Sequence, residues 1–193
     1  MRIISGKFKS RKFHPPENIP TRPTTDFAKT GLFNILNNYI DFVDVSFLDL
    51  FAGTGSISYE FASRGCEDIV AVEENVKCAG FIKKTIEDLQ LKGFNIVKAD
   101  VFSYIRHCSR TFDIIFAGPP YKLDELDKIP ALIFEKKLLN ENGWFILETS
   151  PHHSFANDPR LFHVRNYGDT HFHFFRHEET PAAAAPNPEE ELD

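Results

Sequence analysis

Apolar and polar positions along the chain fall into two alternating rhythms. The stretches "VSFLDLF" (45–51), "DIVAVE" (68–73), "FNIVKAD" (94–100), "FDIIFAG" (112–118) and "GWFILET" (143–149) are short, nearly continuous apolar runs. Each predicts a strand buried on both faces. Between them, 56–64, 75–90, 101–108 and 124–138 read as helices, with Ile82, Ile86 and Leu89 on one face of the second. Upstream, "PTTDFAKTGLFNILNNYI" has Thr and Asp as start signals and apolar residues at 28, 32, 35, 36 and 39, a further helix. Residues 1–23 read as short strands around a bend at Pro15 and Pro16. The end changes rhythm: "RLFHVRNYGDTHFHFFRH" predicts two strands around an Asn-Tyr-Gly-Asp turn, an antiparallel hairpin closing one edge. The expected fold is α/β, a single doubly wound, mostly parallel, Rossmann-like sheet over residues 24–177, with that C-terminal hairpin and a small N-terminal extension.

Length and charge sharpen the picture. A chain of 193 residues suits one well-buried domain. Residues 178–193 hold six acids and no base, and "ETPAAAAPNPEEELD" has the composition of a disordered tail. Without it, 22 acidic residues balance 22 basic ones, yet positions 1–30 carry seven bases (Arg2, Lys7, Lys9, Arg11, Lys12, Arg22, Lys29) against Glu17 and Asp26. A neutral body with a basic arm fits a polyanion approached from one side, and it equally fits a solvated basic edge. Three cysteines without C-x-x-C spacing point away from a disulfide framework or zinc site and towards a reducing cytosol. No apolar run is long enough to predict a membrane span, and the start has no signal-peptide pattern.

In an open parallel sheet the ligand sits at the carboxyl ends of the strands, and four stretches fall on that rim. "DLFAGTGS" (49–56) opens a helix, with Gly53 and Gly55 permitting a tight turn and close ligand approach, or serving as a structural turn alone. Glu73 ends the second strand twenty residues after Gly53, where an acid takes ribose hydroxyls. Asp100 ends the third, positioned to accept from an adenine amine or to cap the following helix. Together these describe an adenosine pocket, common to dinucleotides and S-adenosylmethionine (SAM). "GPPY" (118–121) after the fourth strand separates the two. A base's exocyclic amine has its lone pair delocalised into the ring, so acceptors at its N–H groups must draw it towards tetrahedral geometry. The first side chain of such a turn and the carbonyl of Pro119 would be those acceptors. Pro120 fixes the backbone and Tyr121 stacks on a flipped base. A nicotinamide site has no such use for the turn, and Ser58 replaces the third glycine of a dinucleotide fingerprint.

The chain resembles the bacterial 16S ribosomal RNA guanine-N2 methyltransferases of the RsmD type, from Met1 to about Arg176. The resemblance rests on "MRIISGKFKSRKF", "RPTTDFAK" with "LFNIL", "LDLFAGTGSISYEFASRG" and "FDIIFAGPPY". It implies a class I SAM-dependent methyltransferase acting on a guanine amine in 16S rRNA or the assembling small subunit, cytoplasmic and monomeric, with no metal and no membrane. By the same resemblance Asp49, Phe51, Gly53, Thr54 and Gly55 line the methionine side of the cofactor, Glu73 holds its ribose, and Asp100 and Val101 its adenine. Gly118, Pro119, Pro120 and Tyr121 form the catalytic turn. Arg22, Pro23, Thr24 and Thr25 would sit over the site near the cofactor and RNA; separately, the charge pattern of the basic arm predicts that Lys7, Lys9, Arg11 and Lys12 contact RNA phosphates.

Two departures stand out: Thr30 where members carry an acid, and Gly118 where they carry Asp or Asn. Glycine has no side-chain acceptor, so the turn is expected to be weakened and Gly118→Asp to strengthen it. The alternative is a SAM- and RNA-binding module without catalysis; an NAD-dependent oxidoreductase is the other class weighed. His171 and His173 alternate onto one polar strand face, and neither they nor His152, His153, His163 and His177 share metal-ligand spacing with a Cys or carboxylate. The 20 Phe residues fall mostly at core positions.

Overall fold

The computed structural model describes residues 1–17, 19 and 24–178; Arg22, Pro23 and the tail beyond Glu178 lie outside the described residues. Helices and strands alternate as the periodicity predicts. Helix α1 (Asp26–Leu36) starts where the Thr25 side chain accepts from the Ala28 amide. Strand β1 (Phe47–Leu50) leads to α2 (Ser56–Ser63), then β2 (Ile69–Val72) to α3 (Val76–Leu89), which the Asn75 side chain caps. Strand β3 (Phe94–Val97) leads to α4 (Val101–His107), capped by Asp100, and β4 (Phe112–Ala117) to α5 (Ile129–Glu135), preceded by a 3-10 turn at 126–128. Strands β5 (Leu139–Thr149), β6 (Leu161–Tyr167) and β7 (Thr170–Phe175) finish the chain.

The sheet order is β3-β2-β1-β4-β5-β7-β6, with the β5–β7 and β7–β6 pairings antiparallel and the others parallel. The chain thus begins in the middle of the sheet, winds outward one way and returns to β4, leaving a switch point between β1 and β4. Its C-terminal hairpin packs β7, not β6, against β5, so β6 is the edge.

Side-chain alternation divides two cores. Phe47, Ile114, Phe116, Ile146, Phe172 and Phe174 pack with Leu32, Phe33, Phe61 and Ile82 on one face. Leu48, Leu50, Ile115, Leu147 and Phe175 pack with Ile105, Ile129 and Ile133 on the other. Phenylalanines dominate the fully buried large side chains, and the Phe47 and Phe61 rings stack at 3.7 Å. His173 departs from the expected polar face. It is 3% exposed because β7 is covered on both sides, with Nε2 3.0 Å from Thr149 Oγ1; burial, then the nearby His171 and His153, lowers its pKa to about 4.

Among the described residues, the N-terminal extension forms no strands. It folds as a hairpin with one isolated bridge, Arg2 to Lys12, and its backbone is stitched to α2 instead: Lys7 N donates to Ser63 O and Ile4 N to Glu60 Oε1. The anchor beneath is charged. Lys29 Nζ on α1, 1% exposed, lies 3.1 Å from fully buried Glu60 on α2 and donates to the Arg2 carbonyl at 2.6 Å; Arg64 also pairs with Glu60. Removing one partner of a buried pair leaves a desolvated charge, which typically costs ~3–5 kcal/mol. Lys29→Met is therefore expected to lower stability in urea titration by about 3 kcal/mol, the low end because Arg64 remains. Hydrogen exchange at the Ile3 and Ile4 amides should rise more than global unfolding accounts for, and unchanged protection there would mean the pair does not hold the extension.

Candidate functional site

At the switch point the carboxyl ends of β1, β2 and β4, the turns after them and the end of β5 surround a cleft of about 580 Å³. The loop after β1 gives it its floor. Phe51 (φ 61) and Gly53 (φ 55) both adopt left-handed backbone, unusual for Phe, so the chain turns sharply at the rim. Gly53 donates its amide to Glu73 Oε2 at 2.7 Å, and Asn75 donates to the other carboxylate oxygen at 2.8 Å. Glu73 is thereby locked across the mouth of β2. Burial raises its pKa, and the amide donors partly offset this.

Asp49 lies deeper, 2% exposed on the cleft side of β1, accepting from the Ser58 hydroxyl at 2.5 Å. Burial lifts its pKa to about 7; the Ser58 bonds oppose the shift and the Glu73 and Glu148 carboxylates add to it. Asp100 stands at the exposed rim, its side chain accepting from Ser103 N as the cap of α4, while Phe51, Val101 and Phe102 supply an apolar wall.

The other half is the turn after β4. Gly118 N donates to Leu50 O at 3.2 Å, tying the end of β4 to β1. Pro119 is buried, Pro120 exposed and Tyr121 half-buried. Tyr121 OH donates to Glu148 Oε1 at 3.1 Å, and Thr24 Oγ1 donates to Glu148 Oε2 at 2.6 Å. Glu148, the penultimate residue of β5 and 6% exposed, is the acid that the sequence reading passed over. Its signal was present: a carboxylate closing the apolar run "WFILET" at the rim, beside the Pro-Pro strand.

Of the residues singled out from sequence, Thr24, Asp49, Phe51, Gly53, Thr54, Glu73, Asp100, Val101 and the turn 118–121 line the one cleft. Gly55 does not. It is the left-handed N-cap of α2 (φ 83), and a Cβ there would meet the Tyr59 ring at 2.7 Å, so its need for glycine comes from packing. Thr25 caps α1. Lys7, Lys9, Arg11 and Lys12 are exposed, with Lys7 bonded at the Ser63 end of α2, the end away from the cleft. Among the described residues, no three His, Cys, Asp or Glu are grouped to hold a metal ion, and no helix is long and apolar enough to cross a membrane.

A family model described as conserved hypothetical protein 95 matches residues 1–176. Ribosomal RNA small subunit methyltransferase D of Buchnera aphidicola subsp. Acyrthosiphon pisum is 32% identical over 148 residues, 76% of this chain and 76% of that protein. The protein of the same name from Escherichia coli K12 is 30% identical over 144 residues, 75% of this chain and 69% of its own length. Among solved structures, yhhF from Escherichia coli superposes with a TM-score of 0.80 at 24% identity, covering 92% of this chain and 98% of that one. A 16S rRNA N2 methyltransferase from T. thermophilus, solved with AdoMet and guanosine, gives a TM-score of 0.63 at 22% identity over 79% of this chain and 43% of that one.

The raised pKa of Asp49 makes stability depend on pH. Between the ordinary carboxylate value of 3.8 and about 7, the unfolded chain releases a proton that the folded chain keeps. Stability therefore falls as pH rises through that window, and the loss is complete above it. Asp49→Asn, which still accepts from Ser58, is expected to flatten this component, so that ligand-free urea midpoints at pH 6 and pH 8 differ less than in the wild type. Equal pH dependence in the two proteins would place the titrating group elsewhere.

Proposed function

The chain belongs to the RsmD-type family, and we propose that it transfers a methyl group from SAM to the exocyclic N2 amine of a guanine in small-subunit ribosomal RNA. The observation that carries this reading is that one cleft contains both an adenosine-type pocket and a Pro-Pro-Tyr turn. The residues present fit SAM. Glu73 offers carboxylate oxygens to a diol, the wall of Phe51, Val101 and Phe102 suits a flat base, and Asp49 favours a positive centre. A cation arriving beside Asp49 would favour its ionised form over the protonated one that burial promotes. Bound there, SAM supplies an electrophilic methyl on a sulfonium.

The chain's residues do the rest. Pro119 and Pro120 restrict the turn so that its acceptors stay aimed at one point, and the Tyr121 ring offers a face to a base taken out of its stack. Thr24, immediately before α1, roofs the cleft and ties the N-terminal segment to the catalytic end of β5. The exposed cations Lys7, Lys9, Arg11 and Lys12, with Lys7 at the end of α2 away from the cleft, offer contacts to phosphates of the RNA beyond the target nucleotide. The acidic cleft and basic exterior divide the labour between a cationic donor and a polyanionic acceptor.

Transfer of tritiated methyl from SAM to small subunits lacking the modification, followed by nucleoside analysis, tests the reaction. N2-methylguanosine is the expected product. SAM binding without transfer to any small-subunit substrate would leave the non-catalytic binding module, the reading that the absent side chain of Gly118 favours.

Two variants separate the halves of the cleft. Glu73→Gln keeps the shape but loses a charged acceptor; a hydrogen bond to a charged group contributes ~1.5–3 kcal/mol. It is expected to weaken SAM binding at least about tenfold in calorimetric titration. Tyr121→Ala should leave SAM affinity within about twofold and lower kcat/KM for RNA roughly ten- to hundredfold, since base–aromatic stacking contributes ~1–3 kcal/mol. Intact affinity in the first, or intact transfer in the second, removes that residue's assigned role.

A further inference from the structure

The missing side chain at Gly118 and the buried Glu148 carboxylate are neighbours by register. Phe116 pairs with Ile146 and Ala117 with Leu147, so the next step of the ladder brings Gly118 opposite Glu148. A Cβ built on Gly118 would lie 3.9 Å from Glu148 Oε2 and 3.2 Å from Phe116 Cε1. An aspartate there would stand beside the Glu148 carboxylate, and the Phe116 ring would give by a few tenths of an ångström. Gly118 is also outside the left-handed region, so the backbone does not require glycine. The Glu148 oxygen thus borders the space that an acceptor side chain at 118 would enter.

We propose that Glu148 is the catalytic acceptor for the target amine, supplying from β5 the oxygen that the first residue of the turn lacks. This rests on the methyl-transfer reading and gives it the atom that the turn alone does not provide. Glu148 is held for the task from both sides of the cleft, by Thr24 Oγ1 on one oxygen and Tyr121 OH on the other. An acceptor fixed before substrate arrives needs no reorganisation during reaction. A carboxylate also exceeds a carboxamide as an acceptor because its hydrogen bonds are charge-assisted. It can further take a proton.

The chemistry balances with no added reagent. N2 donates an N–H to the Glu148 carboxylate, which draws the amine out of the ring plane and localises its lone pair. A bond forms between N2 and the methyl carbon while the methyl–sulfur bond breaks with its electron pair left on sulfur. The proton shed by the alkylated nitrogen passes to Glu148 and then to water at the cleft mouth. The stacking residue Tyr121 touches this carboxylate through its hydroxyl, so base and acceptor are set by the same short turn.

Gly118 then has a different meaning from a simple loss, and the two sites should trade. Single-turnover tritium-methyl transfer at saturating SAM and small subunits reads the trade, with calorimetric SAM affinity as the control for an intact cleft. Glu148→Gln and Glu148→Ala are each expected to slow transfer roughly ten- to hundredfold, the loss of one charged hydrogen bond, with SAM affinity within about twofold. Gly118→Asp alone is expected to slow transfer a few fold, because the new carboxylate crowds Phe116 and sets a second charge against Glu148. Gly118→Asp combined with Glu148→Ala is expected to recover about tenfold over Glu148→Ala. A wild-type rate in Glu148→Gln overturns the proposal. So does a slow Glu148→Ala that Gly118→Asp fails to rescue, which would make Glu148 a strut for Thr24 and Tyr121. A rise in transfer for Gly118→Asp alone also overturns it, since the wild-type turn would then lack an acceptor. Absence of transfer by the wild type sinks the enzymatic reading together with this role, whereas the other adverse outcomes sink this role alone.

Discussion

The parallel pairing of β1 with β2 on one side and β4 on the other is the constraint on which the rest of the molecule depends. Those strands are buried on both faces, so each backbone group must find its partner within the ladder. Once β1 is central, the chain leaves the sheet in opposite directions on its two sides, and a gap opens above its carboxyl end. The loop after β1, the acid after β2 and the turn after β4 have nowhere else to converge. The Gly118 amide, bonded to Leu50 O at 3.2 Å, carries that registry from β1 into the turn itself.

Charge is distributed in layers around this gap. Asp49, Glu73 and Glu148 face it from three strands, each largely buried, and their mutual repulsion helps hold Asp49 towards its protonated form. Burial opposes the charged form of Asp49 first of all, and a cation arriving beside it would offset that cost. On the far side of α2 the logic reverses. Glu60 is enclosed by Lys29 and Arg64, and its Oε1 accepts from Ile4 N. One buried pair thus binds the N-terminal hairpin, α1 and α2 into the wall behind the glycine loop, whose residue Ser56 receives a hydrogen bond from the same Lys29. Thr24, the roof over Glu148, enters α1 from this fixed base.

Much of this was legible from periodicity alone, because the strands of a doubly covered sheet cannot hide their apolar runs. The first four strands were read one to three residues too far at their ends, and the fifth, read from Gly143, begins at Leu139. "FNIVKAD" suggested a strand to Asp100, but pairing ends at Val97, since Asp100 is needed as the cap that starts α4. "HFHFF" suggested a polar face through His171 and His173, and that failed for a tertiary reason. A hairpin strand between β5 and β6, packed on both sides, buries residues of either parity, and a neutral imidazole bonded to Thr149 tolerates it. The extension was expected to form short strands, whereas its Ile4, Lys7 and Phe8 amides bond to α2. That partner is more than fifty residues away and leaves no periodic trace.

Glu148 was the least legible feature and shows why a motif can mislead. A motif read along the chain treats consecutive positions as the unit of function, but a transition state senses only where an oxygen lies. Adjacent strands of a sheet place side chains of one face about 5 Å apart, so an acceptor can move from the end of one strand to the end of its neighbour with little change in its position in space. The register that sets Phe116 beside Ile146 makes Gly118 and Glu148 such a pair. Two carboxylates there would repel each other, and the Phe116 ring would give slightly. On the proposed role of Glu148, a glycine at the head of the turn leaves the acceptor to the neighbouring strand, and the turn's chemistry is written across the sheet as much as along the chain.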